Sequence, residues 1–283
     1  MCGHVLIALA IVQSAHAAWP EDASISGMTE HDGVRVVDTE QLSADYQSFI
    51  AELGTAISNK PVMPASTTGT YGFEFSLHTT FVFVDAIERD AEISPWDRVH
   101  PDEDPESYLW IPTFSARKGL PLSTEIGGSI GWLGLTRTGL ASVFGRIAVV
   151  EGYKPLPDLT LQVGYAGYIG NDELELGVLD MGVTLGSQFA VGSSPGMNTG
   201  RLEPFVNFSL LRVTASPTVD ASTAAAVGAV AYRRNDPDAL DPIAIPQVAA
   251  GLQITNGNVH VRLAGSWAWQ TLPTATAGMG FTF

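Results

Sequence analysis

The chain has 283 residues and a formal charge of −16, and only 16% of it is charged, against about 25% in soluble domains. Beyond the amino terminus no run of about 18 apolar residues occurs, which excludes helical membrane spans, and the acidic balance excludes a nucleic-acid partner, which needs basic patches. Weak charge, 29 glycines and short apolar runs point instead to strands.

The first residues, "MCGHVLIALAIVQSAHAAWPEDA", have an apolar core from Val5 to Val12 and a small-residue pattern at Ala15-His16-Ala17. They are expected to be a signal peptide over residues 1–17, cleaved before Ala18, although His4 stands where a Lys or Arg is usual. The single cysteine, Cys2, falls inside it, so the exported part would have no disulfide.

Residues 18–68 are polar and irregular except for one stretch. Over about 39–58, Leu42, Tyr46, Phe49, Ile50, Leu53 and Ile57 recur at helical spacing, behind Asp38 as N-cap and with Gln41 three residues on. This predicts one amphipathic helix in a short periplasmic segment, lying against the protein or entering a barrel mouth as a plug.

From residue 69 to 283 the period is two. In "YGFEFSLHTTFVF" the residues Tyr71, Phe73, Phe75, Leu77, Phe81 and Phe83 share one face, and Glu74, Ser76, His78 and Thr80 the other. The same alternation runs through "LSTEIGGSIGW", "LTLQVGYAGY", "MGVTLGSQ", "PQVAAGLQI" and "NVHVRLAGSWAW". These runs match tilted membrane crossings of roughly 9 to 11 residues, longer than ordinary strands. Aromatics near their ends (Tyr71, Phe83, Trp132, Tyr165, Trp267, Trp269) suit an interfacial girdle. An Arg facing lipid at the bilayer midplane costs roughly 2–4 kcal/mol. The polar face must therefore turn inward, carrying Glu74, His78, Glu125, Arg146, Gln162, Asp180, Gln247, His260 and Arg262 as candidate lumen-lining residues.

Eleven strand candidates stand out, at about 70–84, 107–116, 122–134, 139–150, 158–169, 173–189, 203–213, 224–233, 243–254, 258–269 and 274–283. Single-chain bacterial barrels have even strand numbers. In 173–189 the apolar phase switches from Leu174, Leu176 and Val178 to Leu179, Met181, Val183 and Leu185, which reads as a bulge or as two strands. The expectation is therefore a closed antiparallel transmembrane β-barrel of about 12 strands, with 10 as the alternative. "ARKGLP" and "TNGN" read as tight turns, and residues 85–107 as an exposed acidic outer loop. Within that loop "HPDEDPE" matches no defined calcium spacing and is read as solvated, so no metal or cofactor is expected.

Catalysis has little support. Ser266, His260 and Arg262 share a strand face, as do Glu74 and His78, but residues four apart on a strand are separated by roughly 13 Å, too far for direct proton transfer. No enzymatic activity is expected.

The carboxyl-terminal "TATAGMGFTF" places Thr276, Gly278, Phe281 and Phe283 in a polar, glycine, aromatic, aromatic pattern. With the dyad strands, it resembles the assembly signal of Gram-negative outer-membrane β-barrel proteins. "RKGLPLSTEIGGSIGWL" and "LPDLTLQVGYAGYIGNDELELGVLDMGVTLGSQF" resemble an uncharacterised group of such barrels. The resemblance implies a bacterial outer-membrane location, contact with outer-membrane lipid and insertion by the barrel-assembly machinery. The leading functional expectation is a narrow channel for small polar solutes or ions, with cation preference. A closed-lumen structural or surface-interaction barrel is the alternative, and a barrel hydrolase the third.

Overall fold

A computed structural model describes residues 22–31, 34–35, 38–60, 62–84, 94–100, 106–134, 136–153, 156–192, 200–234, 236–269 and 272–283. The expected signal peptide, 1–17, and much of the acidic loop lie outside the described residues. Among those described, ten strands close into an antiparallel barrel. They are β1 (Phe73–Phe83), β2 (Tyr108–Leu120), β3 (Thr124–Trp132), β4 (Gly139–Val150), β5 (Asp158–Ile169), β6 (Leu174–Gly186), β7 (Gly200–Pro217), β8 (Ile243–Asn256), β9 (Val259–Ala268) and β10 (Pro273–Thr282).

Each strand pairs with its sequence neighbour, and β10 closes on β1 through pairs running from Thr274↔Val82 to Thr282↔Glu74. Two more bonds extend that closure: Phe73 N donates to Phe283 O at 3.0 Å and Phe283 N to Phe73 O at 2.8 Å. A short strand, Phe189–Val191, pairs with the start of β7 outside the cylinder.

The outer wall is apolar and open. Leu77, Ile130, Val143, Val163, Leu263 and Met279 are all exposed, so the wall needs lipid around it. No helix among the described residues is long and apolar enough to cross a membrane, and the crossing belongs to the strands.

The count of twelve is corrected to ten, the alternative. The surplus candidate is 224–233, not the suspected 173–189. Residues Ala221–Val227 form a short helix, with Asp220 as N-cap accepting from Ser222 N and Thr223 N and Gly228 as a left-handed C-cap at φ 64°. An alanine-rich run bracketed by an N-cap acid and a C-cap glycine is helical whatever its apolar alternation suggests.

Residues 174–186 form one strand in unbroken register with both neighbours. Its phase switch has another cause: Leu174, Leu176 and Val178 point inward to an apolar interior, while Met181 and Leu185 point out to lipid. "TNGN" makes the tight hairpin turn expected, with Gly257 at φ 61°. The turn read in "ARKGLP" is displaced, because β2 runs to Leu120 and the reversal falls on Pro121, Leu122 and Ser123.

Candidate functional site: a filled lumen

Two ends of the barrel can be told apart. The proximal end carries Phe73, Phe283 and the turns after β2 and β8; the distal end carries the two longest connections, 84–107 and 218–242.

The expected helix forms as α1 (Thr39–Ile57), with Asp38 as N-cap accepting from Glu40 N and Gln41 N at 3.2 Å. Of the two placements expected for it, the structure has the plug: α1 enters the lumen from the distal end. Over its first turns the polar side is exposed, as at Glu40 and Gln41, but from Leu53 to Ile57 every residue is buried. A helix buried on all sides is one that has passed inside the wall. Its apolar stripe packs on inward residues of the distal half, among them Val82, Ile111, Val178, Leu211 and Val213. At Gly54 the approach is so close that an added Cβ would lie 2.6 Å from Val213 Cγ1.

The distal mouth is closed over α1 by the segments around it. A single-turn helix, Pro95–Arg98, lies within the stretch read as an exposed loop, yet Trp96 and Arg98 are buried. Trp96 stacks edge-on to Phe49 at 5.1 Å and donates its indole N–H to Glu52, and Arg98 Nε reaches Asp45 Oδ2 at 2.8 Å. Residues 22–29 lie across the same mouth. Asp22 meets Arg137 Nε at 2.6 Å, Ser24 N donates to Val99 O, and Glu173 accepts from Ser26 N and Ser26 Oγ. Burial pushes the Asp22 carboxyl above its usual range, while the Arg137 contact pulls it down.

Below α1 the described residues 58–60 and 62–68 form an irregular segment with several bends in the proximal half. A segment outside helix and sheet leaves most of its peptide groups unpaired, and the wall supplies partners. Arg146 Nη2 donates to Pro64 O and Thr160 Oγ1 to Ala65 O; Thr67 N donates to Glu151 Oε1 at 2.7 Å and Thr68 N to Glu125 Oε1 at 2.6 Å. Ser66 Oγ donates to Glu203 Oε1 at 2.7 Å.

Three of those wall residues, Glu125, Arg146 and Glu203, belong to one polar network. Arg117 bridges Glu74 at 2.6 Å and Glu125 at 3.1 Å, Arg146 reaches Glu125 at 2.8 Å, and Arg262 reaches Glu74 at 2.7 Å. Arg262 Nε donates to Gln253, which donates in turn to Glu203 at 2.6 Å. Arg117, Arg146 and Arg262 thus pair with Glu74 and Glu125, and Glu203 also meets Arg201 at 3.6 Å.

All nine predicted inward residues lie on the inner face, and the network brings together Glu74, Glu125, Arg146 and Arg262. His260 lies 3.6 Å from Glu74 Oε1, and His78 lines two small voids. Gln162 bonds Asp180 at 3.4 Å, and Lys60 Nζ donates to Thr55 O and to Ser58 Oγ. Gln247 stands apart from the network, accepting from Ser209 and donating to Ser266 at 3.2 Å. Ser266 also pairs with Thr274, so serine and His260 are not brought together.

Sequence reasoning missed Arg117, Lys60, Glu203 and Gln253. Arg117 was open to discovery: Thr113, Ser115 and Arg117 continue one inward phase, hidden only by reading a turn where the strand goes on. Lys60 carries no such signal, because it follows a helix and belongs to no strand.

The expected narrow channel meets this filling. The voids beside the threaded segment measure about 30 Å³ and 10 Å³, room for about one water each. No group of three or more metal-ligating side chains occurs among the described residues.

No protein-family model and no curated protein matches the chain. Among solved structures it is similar in fold to the N-terminal β-barrel domain of Pseudomonas aeruginosa OprF, at 11% identity and a TM-score of 0.30, covering 76% of this chain and 99% of that one. It is also similar to Acinetobacter baumannii Omp33, at 10% identity and TM-score 0.29, covering 77% of this chain and 100% of that one. The transport unit of the Escherichia coli autotransporter AIDA-I is similar at 8% identity and TM-score 0.35, covering 83% of this chain and 97% of that one.

Proposed function

We propose that the chain is an outer-membrane barrel whose lumen is sealed by its own amino-terminal segment, and that it works through its distal surface and not as an open conduit. One observation carries this: from α1 to Thr68 the described residues fill the lumen, with apolar packing above and a network of paired charges below. The two longest connections, 84–107 and 218–242, both at the distal end, support a distal face on the cell surface. On that face residues 22–29 and Pro95–Arg98 close over α1, offering a surface for interaction while solutes are kept out. Outer-membrane lipid is the partner of the apolar wall. Thr276, Gly278, Phe281 and Phe283 are assigned to recognition by the barrel-assembly machinery, with Phe283 also closing the ring.

Planar-bilayer recording tests the reading. The intact purified chain is expected to give no conductance steps, and a variant lacking residues 38–66 to give clear ones. Regular steps from the intact chain, matching those of the deletion variant, would overturn the sealed lumen.

A further inference from the structure

We propose that the barrel holds a single alkyl chain in a cavity at its distal rim, entered sideways from the membrane. The cavity measures about 470 Å³, within the size range of small-molecule sites. Its position is unusual for a barrel. Leu53 of α1, Leu133 and Tyr168 line it from within, whereas Phe81, Tyr108 and Trp110 line it from the lipid-facing side. One space therefore touches both the interior packing and the hydrocarbon around the protein.

The backbone explains why the wall gives way there. Trp110 O accepts from Gly134 N at 2.7 Å, so the backbone of Trp110 faces β3, and two residues on Pro112 faces the same edge without an N–H to donate. The regular pairs between β2 and β3 stop at Thr113↔Gly131, and the rung at Pro112 lacks the bond that a backbone N–H would have donated, just below the cavity. Gly134 completes the opening, since a Cβ there would lie 2.8 Å from the Trp110 ring. With glycine at that position the indole lies across the rim.

The lining selects the ligand. Among the described residues the lining is mainly aliphatic and aromatic, and the charged or small polar side chains in it are His100, Glu106 and Thr136. Thr136 Oγ1 is already committed to Thr138 and to the carbonyl of Leu133. A polar solute would lose its hydration there without replacement partners, whereas an alkyl chain exchanges one hydrocarbon setting for another. Continuity with the lipid-facing aromatics supplies the route and the source, a chain from the surrounding leaflet.

The test is photolabelling of the whole folded chain in nanodiscs with two probes, a diazirine palmitic acid and a phospholipid carrying a diazirine in one acyl chain. Saturable labelling of the peptide containing Leu53, which bulk lipid cannot reach, is expected, with loss on adding excess palmitic acid. Labelling by the phospholipid identifies a bilayer lipid tail, and labelling by the free acid alone identifies a fatty acid; either outcome supports the site. Leu133→Trp should remove most Leu53 labelling while leaving lipid-facing Phe208 unchanged, and Leu109→Trp, at another residue lining the cavity, serves the same purpose should the first variant fail to fold. Labelling confined to lipid-facing residues and linear with dose would overturn the proposal, as would undiminished Leu53 labelling in the filled variants.

Discussion

In the distal half of the lumen β1, β2, β6 and β7 turn Val82, Ile111, Val178 and Val213 toward α1; in the proximal half the same four strands turn in Glu74, Arg117, Thr184 and Glu203. The difference follows what each half contains. A helix satisfies its own backbone and needs only apolar contact, so the wall around it is a hydrophobic core. An irregular segment presents bare peptide groups, so the wall around it must donate and accept, and the buried charges that do so must be paired. The inner face of a barrel is thus not uniformly polar; its chemistry reports its occupant.

Breaking the proximal half should cost most. Arg117→Met leaves Glu74 and Glu125 short of a shared cation in a buried site, and a loss of about 3–5 kcal/mol is expected from removing one partner of such a set. Urea unfolding in lipid vesicles reads this directly, and a change under 1 kcal/mol would mean that the network is solvated (about the worth of an exposed pair). In the distal half, Ile50→Ala opens a cavity in the helix packing and should cost about 2–5 kcal/mol by the same assay, without dependence on salt. The smallest effect belongs to the start of the helix. Asp38→Ala removes the acceptor of two amide bonds, and about 1 kcal/mol should be lost, seen as a small drop in unfolding midpoint.

The comparison also shows what was legible in the sequence. Alternation reports which side of a strand a residue faces, so Glu74, Glu125, Arg146, Gln162 and Arg262 could be placed inward from phase alone. Alternation does not report what stands opposite. The helix was readable from its spacing and from Asp38, but its place in the lumen depends on contacts with strands more than a hundred residues away, such as Gly54 with Val213. One trace of it was present: the phase switch at Leu174, Leu176 and Val178 marks where the interior changes from polar to apolar. It resembles a bulge only while the lumen is taken to be empty. Residues 224–233 misled for a local reason, since short apolar runs satisfy either period and the capping pair Asp220 and Gly228 decided between them.

The central claim is that α1 is held inside the distal half, and a disulfide tests it most directly. A Cβ at Gly54 would lie 3.2 Å from Val213 Cβ, close to the separation of about 3.5–4.5 Å that disulfides favour. Cys2 is the sole native cysteine, so in a Cys2→Ser background the introduced pair is the only pair present. Gly54→Cys with Val213→Cys should oxidise to a linked peptide in the folded, membrane-inserted chain, whereas Gly54→Cys with Phe208→Cys, whose second site faces lipid, should not. Equal linkage of both pairs, or none in the first, would contradict a helix seated in the lumen.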